Sequence, residues 1–302
     1  MKNNVSRISK FRFASFYFAA MLITISLFGL FTHGLNLGLD FTGGYLTEFS
    51  TEQSIDQTKM NQQLSEYLTD DFQLSAADNG THWSVRQTDT NIGQQDSSWL
   101  TEFSQQSGLS ITPQDAIYIG SQVGDELIDQ GGLALLTAVI VILVYLSLRF
   151  EWRLAAGSVV ALVHDVVVVL GIFAWFNISF DLTILASLLA IIGYSLNDSI
   201  IVGDKVREIM RRNKDGDIDD IINQAIKSTL VRTSITSGTT LATVLAIGLF
   251  AGESLAGFAI ALFSGILIGT YSSIAISATI PQLLGLSADH YHKKEHEVCT
   301  LP

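Results

Sequence analysis

Four ionisable residues lie inside long apolar stretches of the sequence, where charged side chains are rare. They are His164, Asp165, Asp198 and Arg232. A charge at the centre of a lipid bilayer costs about 2.5 to 3.5 kcal/mol, so such residues usually face a partner or a water-filled path. A carboxylate that pairs with an arginine when ionised, and releases it when protonated, changes the contacts between its helices with each proton. These residue types therefore predict a proton relay.

The positions of the four residues predict which of them meet. Asp198 lies late in the fourth apolar stretch and Arg232 early in the fifth, so antiparallel spanning helices would place both at a similar depth and face to face. His164 and Asp165 lie near the middle of the third stretch. The alternative is that these groups only hydrogen-bond between helices and hold the bundle together.

Polar residues recur at helical spacing around these charges. Spacings of three and four residues place side chains on one face of a helix. In the fifth stretch this face holds Arg232, Thr236, Thr239 or Thr240, and Thr243, and in the fourth it holds Ser187, Tyr194 and Asp198. Neither face resembles a surface that meets lipid, so both are expected to point toward other helices.

The composition indicates the elements that must position these residues. The chain has 302 residues, of which 48% are hydrophobic and only 15% charged. Its mean hydropathy is +0.37. A spanning helix needs roughly 20 apolar residues. Six stretches qualify, namely Phe13 to Phe31, Gly131 to Leu148, Leu154 to Phe176, Leu182 to Gly203, Thr229 to Phe250 and Leu255 to Leu286, the last expected to end near Pro281. The first could be a secretory signal peptide, but no cleavage pattern follows it, so an uncleaved anchor is predicted.

The charge distribution predicts the orientation. Lys and Arg are retained on the cytoplasmic side of short loops, and those flanking the six stretches all fall on one side if both termini are cytoplasmic. The predicted divisions are a cytoplasmic N-terminus (1–12), a first span (13–33), an outward domain (34–129), spans two to six (130–286) with a cytoplasmic loop (204–228), and a cytoplasmic tail (287–302). The outward segment holds 15 acidic residues against Lys59 and Arg86. A net charge of -12 argues against a nucleic-acid partner.

The outward segment predicts a small α+β domain. Strands are expected at Tyr45 to Phe49, Phe72 to Ala76, Trp83 to Gln87 and Ala116 to Ile119. Ser54 is expected to cap one helix, and Trp99 and Phe103 mark a second. Asn79-Gly80 predicts a hairpin turn. The order βαββαβ is that of a ferredoxin-like unit. The predicted fold class is therefore an α-helical membrane protein of six spans with a small ferredoxin-like domain between the first two.

Several motifs of catalysis and cofactor binding are missing. The sequence contains no P-loop and no recognisable nucleophile and base pair, which predicts a protein that is not an enzyme. Asp215, Asp217 and Asp219 do not complete an EF-hand, and Asp217 is expected to cap a short cytoplasmic helix instead. His290, His292 and His296 lie in a polar tail that is expected to be solvated. No cofactor is predicted, and protons are the expected coupling ion.

The motifs around the predicted relay resemble the SecF family, the smaller membrane subunit of the bacterial SecDF complex. The resemblance covers nearly the whole chain. It rests on the residue runs Leu39–Gly44, His164–Asp165, Gly193–Asp198, Arg232–Ser237 and Gly269–Ile274. Gly203-Asp204-Lys205 departs from the usual Phe-Asp-Arg of the family. With these motifs the predicted relay comprises Asp198, Arg232, Asp165, His164, Thr236 and Asn197, and Asp40, Gly43 and Gly44 form a structural motif.

The resemblance implies a function in protein export. It implies a fold of the resistance-nodulation-division exporter type in the bacterial inner membrane, surrounded by membrane lipid. It further implies a complex with SecD, association with the SecYEG translocon, and proton flow that helps to pull a preprotein outward. In that family the positions of Asp198 and Arg232 carry the proton-dependent step. A stand-alone proton-coupled exporter of small solutes is the alternative, and a purely structural assembly subunit is a third possibility.

Overall fold

A computed structural model describes residues 2–68, 72–77, 80–87, 98–213, 216–251 and 255–287. The helices are α1 (Lys2–His33), α2 (Leu39–Thr42), α3 (Gln57–Tyr67), α4 (Ser98–Ser107), α5 (Ser121–Arg149), α6 (Trp152–Trp175), α7 (Leu182–Arg212), α8 (Ile218–Phe250), α9 (Ala256–Ala275) and α10 (Thr279–Leu283). The strands are β1 (Gly44–Thr51), β2 (Phe72–Ala77), β3 (His82–Gln87) and β4 (Ile111–Ile119). Six helices with a small sheet domain between the first two long ones confirm the predicted fold class.

The sheet domain has the βαββαβ order expected from the sequence. Its sheet is antiparallel throughout, with strand order β2-β3-β1-β4. Strand residues alternate between the two faces. Phe49, Trp83 and Val85 therefore share one face, where they pack against Met60 and Leu64 of α3 and the aromatic residues of α4.

Two details of this domain differ from the prediction. The last strand begins at Ile111 and not at Ala116, because its pairing with β1 continues past an irregularity between Thr47 and Phe49. The cap of α3 is Asp56, whose carboxylate accepts the Thr58 N–H, and not Ser54. Gly80 has φ +82 in a turn, whereas Asn79 lies outside the described residues.

The six long helices form an apolar bundle. In the described part of the chain, six helical segments are long and apolar enough to cross a membrane. α6, α7 and α9 pack against one another, whereas the outer faces of α1, α5 and α8 expose large apolar side chains such as Phe31, Leu148 and Phe250. Exposed apolar area on this scale needs a lipid or protein environment. The chain is a multi-pass membrane protein.

At the end of the bundle away from the sheet, α7 and α8 extend beyond the apolar stretches of the sequence. The predicted loop 204–228 is largely helical, since α7 continues to Arg212 and α8 begins at Ile218. Ion pairs along α7 support its extension, among them Glu208 with Lys205 and Arg212. Asp217 does act as a helix cap, but its helix is the long α8 and not a separate short one.

The sixth span also ends differently from the prediction. α9 ends at Ala275 and the short α10 follows, with Pro281 inside it. A proline is tolerated in the first turn of a helix, where its missing N–H has no intrahelical partner. A Cβ at Gly157 would lie 2.8 Å from Cδ of Pro281, so α6 passes very close to this corner. The polar tail with its three histidines lies outside the described residues.

A buried arginine links three helices at the end of the bundle away from the sheet. Arg12 of α1 is 2% exposed. It donates to Asn223 Oδ1 at 3.3 Å and also to Asp219 and Gln282. These contacts join α1 to the start of α8 and to α10.

Candidate functional site

Asp198 is fully buried in α7, with 0% of its surface exposed. Neither of its carboxylate oxygens has a hydrogen-bond partner among the described residues. The hydroxyls of Ser199, the next residue, and of Thr233 on the neighbouring helix α8 are likewise buried without partners. Leaving a buried polar group without a partner costs about 1 to 3 kcal/mol, and more for a charged group. Asp198 is therefore held at a position that is unfavourable for an ionised carboxylate.

Arg232 does not form the predicted direct contact with Asp198. Within the described ranges, no ion pair within 4.0 Å joins the two side chains. α8 turns Thr233 toward the bundle, and this leaves the preceding residue, Arg232, exposed. The guanidinium is nevertheless close enough for its charge to act on the Asp198 carboxylate. The two helices thus hold an acid and a base near each other but separated.

The polar stripe of α8 faces outward and not into this chain's own bundle. Thr236, Thr239 and Thr243 are exposed, and their hydroxyls donate to backbone carbonyls within α8. The inward face of α8 instead carries Thr229, Thr233 and Ser237, which recur every four residues. Within this chain, the polar face of α8 that points into the bundle is therefore not the one that carries Arg232 and Thr236.

A hydroxyl chain crosses three helices beside Asp198. The Tyr194 hydroxyl of α7 donates to Ser237 Oγ at 3.1 Å, and Ser237 Oγ shares a hydrogen bond of 2.7 Å with Thr270 Oγ1 of α9. The prediction gave Ser237 and Thr270 no role of their own. The four-residue spacing from Thr229 to Ser237 was the available signal.

Asn197 points away from the buried groups. It lies on an exposed face of α7 together with three small residues. These residues are Ala186, Ala190 and Gly193. Asn197 and Asp198 are adjacent in sequence but face different surroundings, because successive residues of a helix point about 100° apart.

Asp165 of α6 forms a second buried site with the opposite character. It is 1% exposed and accepts hydrogen bonds from Ser195 Oγ of α7 at 2.5 Å and Ser272 Oγ of α9 at 2.8 Å. The Nδ1 atom of His164 lies 3.0 Å from the other carboxylate oxygen. His164 Nε2 is buried without a partner in the described part of the chain. The structure therefore brings His164 and Asp165 together, and the prediction missed the two serines.

Close packing supports the Asp165 site. A Cβ at Gly269 would lie 3.2 Å from Cβ of Ser195 and 3.4 Å from Asp165 Oδ2. The glycine lets α9 approach α6 and α7 closely enough for Ser272, one turn later, to reach the carboxylate. Ser195 and Asp198 lie one turn apart on α7, so this helix borders both carboxylates.

The predicted structural motif lies at the sheet end of the bundle. Asp40 Oδ2 accepts a hydrogen bond from the Leu182 N–H at the start of α7, at 3.0 Å. Gly43 and Gly44 have φ values of +68 and +135, which permit the tight link from α2 into β1. The motif that contains Asp40, Gly43 and Gly44 therefore meets α7 at its first residue, whereas Asp198 lies much further along that helix.

Sequence comparisons agree with this architecture. Residues 100–287 match the model of the protein export membrane protein SecD/SecF C-terminal family, and residues 28–55 match that of the SecD/SecF GG motif. A protein translocase subunit SecF from Vibrio alginolyticus is 41% identical over 279 residues, which cover 91% of this chain and 89% of the relative. The corresponding subunit of Pseudomonas aeruginosa is 39% identical over 280 residues, with 92% and 91% covered.

The fold is also found in a solved structure. A crystal structure of SecDF, a translocon-associated membrane protein from Thermus thermophilus, matches with a TM-score of 0.79 and 29% identity over 91% of this chain. This chain spans 38% of that SecDF chain. The sequence comparisons and the fold comparison thus point to the same group of proteins. The chain belongs to the SecD/SecF family of protein export membrane proteins, among the SecF subunits.

Proposed function

We propose that this chain is an accessory subunit of the Sec protein-export machinery and uses the proton motive force together with SecD. Its relatives are named as translocase subunits, a transport function and not a catalytic one. The matched structure is titled as a translocon-associated SecDF protein. SecYEG and the preprotein in transit are the further proposed partners.

The unpartnered carboxylate of Asp198 is the observation that carries the proton-coupled part of the proposal. An ionised Asp198 is attracted to the Arg232 guanidinium across the α7–α8 contact, whereas a protonated Asp198 is not. Each elementary charge that crosses the membrane gains about 2.3 kcal/mol per 100 mV. A few kcal/mol is enough to shift a two-state equilibrium substantially. Each proton can therefore change how α7 and α8 pack.

The exposed faces of α7 and α8 support a partner subunit in the membrane. Arg232 and the threonine stripe of α8 are exposed beside the small-residue face of α7 that carries Asn197. An arginine facing lipid is costly, while small residues permit close helix contacts. We assign this combined face to SecD, and SecD also encloses the Asp198–Arg232 region. The remaining outer surface contacts membrane lipid.

The proposed location is the bacterial inner membrane, with both termini cytoplasmic. Arg149 ends α5, Arg153 lies in the first turn of α6, and Arg207, Arg211 and Arg212 lie at the end of α7, away from the sheet. Because Lys and Arg in short loops are retained in the cytoplasm, the sheet domain faces outward.

Gradient-dependent translocation tests this function. SecDF carrying Asp198→Asn would be assembled with SecYEG in inverted membrane vesicles, and preprotein translocation would be measured with and without a proton gradient. We expect the variant to lose stimulation by the gradient while it retains the ATP-driven translocation and copurifies with SecD.

Asp204→Asn is the matched control, since it makes the same change six residues later on α7. Asp204 pairs with Arg149 and Arg207 at 2.7 and 2.9 Å, and we expect its variant to keep the stimulation. Full stimulation in Asp198→Asn would contradict the proposal. Purification of a homodimer without SecD would instead support the small-solute exporter.

A further inference from the structure

The chain segment before the sheet domain is fastened to the loop between α6 and α7. The Phe180 N–H donates to the carbonyl of Asn36, and the Gly38 N–H donates to the carbonyl of Phe180, both at 2.7 Å. Leu37 and Phe180 form a parallel β-bridge. Asp40 adds a side-chain contact by accepting the Leu182 N–H at 3.0 Å. We call these contacts, between 36–40 and 180–182, the junction.

The junction is tightly packed. The rings of Phe41 and Phe180 stack with centroids 5.9 Å apart. A Cβ at Gly38 would lie 3.1 Å from the Phe180 carbonyl oxygen, and a Cβ at Gly124 would lie 2.5 Å from that of Phe41. α2 is therefore wedged between α5 and the start of α7 with little free space. A displacement of α7 at this point must move α2 or break its contacts.

Both chain connections to the sheet domain pass the junction. β1 starts at Gly44, two residues after α2 ends, and α5 starts at Ser121, two residues after β4 ends. Leu182, which donates to Asp40, is the first residue of the helix that carries Asp198. The two positions are 16 residues apart, which is about 24 Å along a helix that rises 1.5 Å per residue.

The N-terminus of α7 is capped by two different carboxylates. Asp181, the residue before the helix, accepts the N–H groups of Thr183 and Ile184 at 2.9 and 3.0 Å. Asp40 accepts the remaining first-turn N–H, that of Leu182, from a separate segment of the chain. Acceptors at this end of a helix are favoured by its unpaired N–H groups and its dipole. Asp181 stabilises only the helix itself, whereas Asp40 also links the helix to the segment that leads into the sheet domain.

We infer that Asp40 is the positioning residue through which proton-dependent movement of α7 reaches the sheet domain. The inference rests on the proposed proton-coupled function and adds the route by which it acts on the outward domain. Loss of the Asp40 acceptor leaves the proton site intact but lets α7 move without α2. Proton movement and translocation then become uncoupled.

The test compares proton release with translocation in inverted vesicles that contain the whole SecDF complex and SecYEG. Proton release from the acidic interior would be followed with an internal pH dye while preprotein translocation is measured under the same gradient. For Asp40→Ala we expect translocation per proton to fall by about fivefold, the factor by which loss of one hydrogen bond shifts the equilibrium between a linked and an unlinked junction. Asp40→Asn should restore the ratio, since asparagine caps helices about as well as aspartate.

Asp181→Ala is the matched control, because it removes a cap from the same helix without cutting the link to α2. We expect its ratio to stay within about twofold of the unmodified complex. An unchanged ratio in Asp40→Ala, or an equal fall in Asp181→Ala, would overturn the inference. So would a parallel loss of proton release and translocation in Asp40→Ala, since Asp40 would then act on the proton site or on assembly.

Two further variants separate the possible failures. Asp40→Leu keeps the number and branching of the side-chain heavy atoms of aspartate, with bulkier methyl groups in place of the oxygens, and replaces Asp40→Ala if the alanine variant does not assemble. Failure of both variants to assemble would contradict a role in coupling and indicate a role in folding. Asp198→Asn should abolish proton release, and if it does not, the proposed function fails whatever the Asp40 variants show.

Discussion

Two carboxylates in this bundle are equally buried but differ in their hydrogen bonding. Asp165 and Asp198 are 1% and 0% exposed, and both border α7. Asp165 accepts two serine hydroxyls and lies 3.0 Å from a histidine nitrogen. Asp198 has no hydrogen bond within the described ranges. Burial therefore does not distinguish them, but hydrogen bonding does.

From this difference we expect that Asp165 holds the bundle together, the alternative to its predicted place in the relay, and that Asp198 is the acid that changes its protonation state. Donors from three helices around Asp165 stabilise a single arrangement of α6, α7 and α9. At Asp198 the ionised and protonated forms both lack fixed partners, so neither is tied to one packing of α7 against α8. An acid that must take up and release protons during a cycle benefits from the second environment. The predictions below test this contrast through the stability of the purified complex.

The largest expected effect is that of Asp165→Ala. It leaves the Ser195 hydroxyl and His164 Nδ1 without their partner, whereas Ser272 Oγ still reaches the Gly269 carbonyl at 3.2 Å. Each buried group left unpaired costs about 1 to 3 kcal/mol. We expect a total loss of about 3 kcal/mol or more and a clear fall in the Tm of the detergent-solubilised complex. A Tm equal to that of the unmodified complex would show that the serine contacts contribute little and would remove the contrast.

The sequence was sufficient to predict the architecture but only part of the site. Six apolar stretches and the βαββαβ order are local patterns, so the sequence predicted these elements correctly except at the ends of helices and strands. The depth of Asp198 and Arg232 also follows from counting residues. The rotation of α8 about its axis does not, because Thr233 and Ser237 form as regular a polar face as Arg232 and Thr236.

The partners of Asp165 were hidden for a related reason. Ser195 and Ser272 come from two helices far apart in sequence, and serine is common on spanning helices without any special role. Only the packing of α9 at Gly269 brings them to one carboxylate. The run Gly269–Ile274 supported the family resemblance. Its physical role, close packing at Gly269 and a hydrogen bond from Ser272 to Asp165, follows only from the structure.

Gly269→Ala should weaken the Asp165 site by an intermediate amount. The added methyl group would lie 3.2 Å from Cβ of Ser195, and overpacking of this kind typically costs about 1 to 3 kcal/mol. The matched control is Gly132→Ala on α5, where a Cβ meets no atom within 4 Å. We expect a lower Tm for the first variant only. Equal Tm values would mean that α9 can shift freely at this contact.

Asp198→Asn should have a smaller effect on stability, and of the opposite sign. The amide removes a buried charge that has no hydrogen-bond donor among the described residues, so at alkaline pH we expect the free energy of unfolding to rise by about 1 kcal/mol. Thermal unfolding of the same complex used for Asp165→Ala would measure it. A strong destabilisation would indicate that Asp198, like Asp165, is needed for packing, and the distinction between the two acids would be lost.

Tyr194→Phe gives the smallest expected change and tests whether the hydroxyl chain near Asp198 is structural. The Tyr194 hydroxyl donates to Ser237 at 3.1 Å, and a hydrogen bond of this kind contributes about 0.5 to 1.5 kcal/mol. Ser237 keeps its bond to Thr270, so the loss should lie at the lower end of that range. Tyr145→Phe on the exposed α5 is the matched control, with no change expected in Tm. Tyr194 lies one turn before Asp198. A loss of proton-driven translocation with an unchanged Tm would therefore place the Tyr194 hydroxyl in the proton path. The structural role argued for this hydroxyl would then be wrong.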